Sequence, residues 1–137
     1  MAYTEESLRR EIRNNETKIG NIKRENETLE GQLSRIRRAK KTISQAKNDY
    51  KRLRDSTQKV LNNRDKWKGE QYEKCESAFR DVEYADDNAV SRIDQVLDAL
   101  ERAEGEYERK MNSNKGLIRS LQNGINWAWH EIKTVFN

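Results

Sequence analysis

The sequence predicts an all-α fold: a long antiparallel two-helix coiled-coil hairpin with its turn near residues 62–69, forming one domain over residues 1–137. Three observations predict it. There is no proline in 137 residues, charged residues (38%) outnumber hydrophobic ones (33%), and the apolar residues recur at alternating steps of three and four. So little apolar mass cannot fill a wide globular core. The regular spacing separates the chain from a disordered one of similar polarity.

The first arm covers about residues 5–62. Leu8, Ile12, Asn15, Ile19, Ile22, Asn26, Leu29, Leu33, Ile36, Lys40, Ile43, Lys47 and Tyr50 form an a/d heptad seam. The second arm covers about residues 70–136. Its seam runs Val90, Ile93, Leu97, Leu100, Glu104, Tyr107, Met111, Asn114, Ile118, Leu121, Ile125, Ala128, Ile132 and Val135. At 1.5 Å per residue each arm spans roughly 80–100 Å. Asn15, Asn26, Lys40, Lys47, Glu104 and Asn114 interrupt the seams with polar groups. Such groups either fix register and partner choice or mark a wet stretch between two helices, and both readings stand.

The charge pattern selects the antiparallel arrangement. Residues 35–66 hold 12 basic and 3 acidic side chains (net +9), and residues 70–108 hold 4 basic and 13 acidic (net −9). A reversal between these runs lays one against the other. Each exposed pair contributes only some tenths of a kcal/mol, but a row of them disfavours the parallel alternative. The same pattern weakens a nucleic-acid reading of the cluster "RIRRAKK", because these cations face the acidic arm and water, and no aromatic stacking residues are interleaved with them.

The reversal falls in "NNRDKWKGEQYE", where Asn62, Asn63 and Asp65 suit turns and caps and Gly69 permits a positive φ. Trp67 is expected to fold its indole over the tip of the hairpin, supplying apolar area on the order of 200 Å² where two helices alone leave little to bury. Cys75 is expected to be a small seam residue. A lone cysteine and a lone histidine (His130) form no recognisable metal set, so no metal or cofactor is predicted. The start "MAYTEESLRR" lacks an apolar stretch, and "GLIRSLQNGINWAWHEIKTVF" is repeatedly cut by polar residues. Neither a cleavable signal peptide nor a membrane span is predicted.

Trp67-Lys68-Gly69 between two amphipathic arms resembles the Trp-x-Gly superfamily, the small helical hairpins handled by type VII secretion systems of Gram-positive bacteria. It resembles more strongly the longer relatives of that group, which are partner proteins of LXG toxins. Residues 30–137 carry the resemblance: "RRAKKTISQAKNDYKRL" before the tryptophan, "YEKCESAFRDVE" after it, and a heptad-rich C-terminal helix. It implies a protein of the bacterial cytoplasm that binds the helical N-terminal domain of an LXG toxin, alone or with a second small helical protein, and is retained or co-exported. The family's export signal is an aromatic residue followed four positions later by an acid. Phe79 with Glu83, Tyr72 with Glu76, and Trp127 with Glu131 have that spacing, each with Glu where Asp is usual. Phe79–Glu83 is preferred if position after the turn matters, and Trp127–Glu131 if position near the C-terminus does.

The C-terminal segment is the most apolar of the chain. Leu117, Ile118, Leu121, Ile125, Ala128, Ile132 and Val135 form a stripe that Trp127, Trp129 and Phe136 widen beyond what one facing helix would cover. This breadth marks the segment as the expected partner interface. Membrane-surface binding is disfavoured by the few cations on its polar face. The leading reading is therefore a non-enzymatic adaptor that completes a helical bundle with a toxin domain. The alternative is a structural coiled coil that homodimerises when alone, and a nucleic-acid-binding coiled coil comes after both. No pairing of carboxylates, histidine or cysteine supports catalysis.

Overall fold

The computed structural model describes residues 3–62 and 69–136, with the backbone alone at residue 61. Helix α1 spans Glu5–Asn62 and helix α2 spans Glu70–Val135. The two pack against each other as a helical hairpin, and no strand occurs among the described residues. Helix ends follow local chemistry. At the start of α1 the Thr4 hydroxyl accepts from the Ser7 amide (3.0 Å), and the Ser7 hydroxyl accepts from the Thr4 amide (3.1 Å). This reciprocal cap satisfies two amides that the helix leaves open, and Glu5 and Glu6 complement the positive end of the helix dipole.

Trp67 lies outside the described residues. Gly69 does not, and it stands immediately before α2 with φ of 62°. Its carbonyl accepts the amide of Glu73 (3.3 Å), so the left-handed residue opens the first turn of the helix. A Cβ at this position would meet nothing within 4 Å. Gly69→Ala therefore carries backbone strain alone, about 1 kcal/mol. It is expected to lower the melting temperature by a few degrees in thermal circular dichroism, and unchanged melting would show that a right-handed residue serves here equally well.

The hairpin resolves into two compact units. The first joins Met1–Arg35 to Glu104–Asn137. Leu8, Ile12, Ile19, Ile125, Ala128 and Ile132 form its buried core, with Ile118 and Leu121 packed against it. Two of the polar interruptions here, Asn26 and Asn114, partner each other. Asn114, only 1% exposed, donates to Asn26 Oδ1 (2.8 Å), and Asn26 donates to the Met111 carbonyl (3.3 Å). One cross-helix amide pair thus replaces one apolar layer, and sliding either helix would leave both amides buried and unpaired. At Gly124 an added Cβ would stand 3.3 Å from Asn15 Nδ2, so this glycine admits the facing amide.

The second unit covers Ile36–Ala103 and is held differently. Among its described residues only Phe79 and Asp86 are buried. Lys40 pairs with Glu101 (3.9 Å), Lys47 with Asp94 (2.5 Å) and Arg54 with Asp87 (2.6 Å), so cations occupy successive seam positions at seven-residue intervals. Between residues 40–54 and 87–101 the basic and acidic runs of the sequence do lie side by side. The seam of α2 also starts earlier than the spacing from Val90 suggests: Tyr72, Glu76, Phe79, Glu83 and Asp86 continue it backwards with the same steps, each at least half-buried.

Candidate partner-binding site

The C-terminal stripe expected to meet a partner is divided by the fold. Ile125 (4% exposed) and Ile132 (1%) belong to the hairpin's own core, and Ile118 and Leu121 pack on it. These four face inward, which corrects their placement on an outer surface. The reason is that the a/d stripe of α2 is consumed by Leu8, Ile12 and Ile19 of α1.

Leu117, Trp127, Trp129, Val135 and Phe136 are exposed, but they do not share a face. Leu117 and Trp127 stand on one side of the seam, Trp129 and Phe136 on the other. Both indoles also have neighbours. Tyr3 meets Trp127 edge-on with ring centres 5.5 Å apart, and the Arg9 guanidinium lies 5.5 Å from the centre of the Trp129 ring. The aromatics that widen the stripe therefore serve in part to cover the start of α1.

The aromatic–acid pairs differ in display. Phe79 is packed in the seam, and Glu83 is half-buried one turn later. Both line a cleft of about 210 Å³ with Gln58, Tyr72 and Arg80. Glu76, four residues after Tyr72, is bound to Arg80 at 2.6 Å. Trp127 is 42% exposed, with Glu131 half-buried beside it. Of these pairs, Trp127–Glu131 alone presents its ring outward.

The unit Ile36–Ala103 also carries exposed apolar side chains. There Tyr50, Leu53, Val60, Val82 and Val96 are between 40% and 58% exposed. Tyr50, Ala85, Ala89 and Ile93 line an open cavity of about 450 Å³, and Ala46, Tyr50 and Leu53 line another of about 400 Å³. The signal was present in the sequence. Ala39, Ala46, Leu53 and Val60 on α1, and Val82, Ala89, Val96 and Ala103 on α2, repeat every seven residues, one position ahead of the seam. A seam search that stops at a/d positions passes over them.

Among the described residues no group of three His, Cys, Asp or Glu side chains could hold a metal ion. No described helix is long and apolar enough to cross a membrane. No curated protein and no solved structure matches the chain. The sequence model of the YwqH-like family does match it, over residues 10–127, which takes in nearly all of both helices, and the chain belongs to that family.

Proposed function

We propose that this protein is a non-enzymatic adaptor that binds the helical N-terminal domain of an LXG-type toxin and presents it for type VII secretion. The observation that carries this reading is the YwqH-like match over residues 10–127, joined to the LXG-partner resemblance of the segments around Trp67. The fold supports it physically. A two-helix hairpin buries only a narrow stripe along each helix, and this one keeps an apolar flank open in the unit Ile36–Ala103. Docking a second helical hairpin would complete a four-helix bundle. The adaptor works in the bacterial cytoplasm and accompanies its cargo to the secretion machinery, with a second small helical protein as a further member of the complex.

The test is direct. The purified chain is mixed with the helical N-terminal domain of an LXG protein from the same genome, which the adaptor reading expects to be encoded nearby, and the mass of the product is measured by light scattering after size exclusion. A complex of defined mass at low micromolar concentration is the expected result. Two separate peaks at tens of micromolar would end the adaptor reading and leave the structural coiled coil in its place.

A further inference from the structure

In an antiparallel helix pair, the positions just before each a residue of the two helices share one flank of the seam, and those just after each d residue share the other. In the unit Ile36–Ala103 these flanks differ in kind. One carries Asp87, Asp94 and Glu101, each ion-paired across the helices to Arg54, Lys47 or Lys40. The other carries the exposed Leu53, Val60, Val82 and Val96, with Ala89 and Tyr50 lining an open groove. In the two rows of each helix that make this flank, from residue 39 to 103, the charged residues are Asp49 and Arg92. A solvated surface of such length is rarely so apolar.

Its edges indicate what covers it. Along α1 the flank is bordered by Arg38, Arg52 and Lys59, all exposed, with Asp49 engaging Arg52 at 3.2 Å. Along α2 the corresponding positions are Asp81, Asn88, Gln95 and Arg102, which sum to no net charge. An occupant over the α1 edge therefore gains by bringing carboxylates. A second copy of this chain cannot do so with the same flank, because its ladder acids Asp87, Asp94 and Glu101 lie on the opposite side and are already paired. Self-docking would bring a basic edge to a basic or neutral one.

We infer that the flank formed by Leu53, Val60, Val82, Ala89 and Val96 is the docking surface for a helical hairpin of another protein, one whose small aliphatic heptad stripe is bordered by Asp and Glu. This rests on the adaptor reading for the biological identity of the partner, but the surface and its chemistry are tested without it. The probes are two synthetic helical hairpins with the same Leu/Ala stripe, one bordered by Glu and the other by Lys. Binding to the full chain is measured by calorimetry at low and at physiological salt. The Glu-bordered hairpin is expected to bind at least tenfold more tightly, with the difference shrinking as salt rises.

The triple variant Leu53→Gln, Val82→Gln, Val96→Gln introduces no charge and changes exposed residues only, so its helix content should match the parent in circular dichroism. It is expected to bind at least 30-fold more weakly, whereas Ser44→Gln with Asn48→Gln on the other flank changes binding less than threefold. No binding by either hairpin, equal binding by both, or full binding by the triple variant would overturn the proposal. A parent chain that sediments as a dimer, broken by the triple variant, would also overturn it by making a second copy the occupant. The two readings fail separately. A chain that takes the Glu-bordered hairpin but not the LXG domain loses the adaptor role, and an LXG complex indifferent to the triple variant loses this surface.

Discussion

Replacing Ile132 by aspartate is expected to melt the unit built from Met1–Arg35 and Glu104–Asn137 with no partner present. Ile132 is 1% exposed and sits in one cluster with Leu8, Ile12 and Ala128. Truncating such an isoleucine costs about 2–5 kcal/mol through lost transfer energy and the cavity left behind. A carboxylate at that point adds the cost of a buried, unpaired charge, so the total should exceed about 4 kcal/mol. The measurement is thermal circular dichroism, with amide exchange read over residues 104–135. Leu117→Asp is the control: its parent side chain is 50% exposed, and the change should stay within about 0.5 kcal/mol. If Ile132→Asp melts like the parent and loses only partner binding, the C-terminal stripe faces outward after all.

That comparison also shows where the sequence is informative and where it stops. The arms expected over about 5–62 and 70–136 match helices Glu5–Asn62 and Glu70–Val135, because the heptad spacing, the proline-free composition and the turn residues act locally. The antiparallel pairing was legible in the opposed charge runs, and Lys47–Asp94 and Arg54–Asp87 realise it. The destination of the C-terminal stripe was not. Periodicity reports that Ile125 and Ile132 share a face, but not whether that face meets α1 or another chain, since either helix would satisfy the same pattern. The pairing of Asn26 with Asn114 was hidden for a similar reason. Each was an interruption within its own arm, and only a register linking residues 88 apart makes one hydrogen bond of them.

The seam before Val90 was masked by its composition. Glu76, Glu83 and Asp86 occupy inward positions where an apolar residue would have announced the period. The apolar flank escaped notice by the opposite route, since its alanines and valines sit beside a seam that already accounts for most of the pattern. Polar residues inside and apolar residues outside in the same unit form a coherent pairing. A segment that gives up internal packing and keeps an outer apolar face gains most when a second protein covers it.

The sharpest consequence of that inversion concerns Asp86. It is 8% exposed at a seam position, and its Oδ2 is buried without a hydrogen-bond partner. The adjacent Asp87, not Asp86, takes the Arg54 guanidinium at 2.6 Å. A buried acceptor left unsatisfied costs about 1–3 kcal/mol. Asp86→Leu removes that cost and adds an apolar layer one heptad along the seam from Phe79, so it is expected to stabilise the isolated protein by about 2 kcal/mol, a rise of several degrees in melting temperature. Asp86→Asn keeps a polar group in the same space and should change melting far less. The pair of variants separates desolvation from volume. A lower melting temperature for Asp86→Leu would mean that the carboxylate is satisfied in solution and that the leucine overpacks the seam. If Asp86→Leu stabilises the protein alone yet leaves the affinity for a helical partner unchanged, the cost is paid equally in the free and bound states. If it stabilises the free protein and weakens the complex, the loose seam is part of how the unit Ile36–Ala103 adapts to its partner.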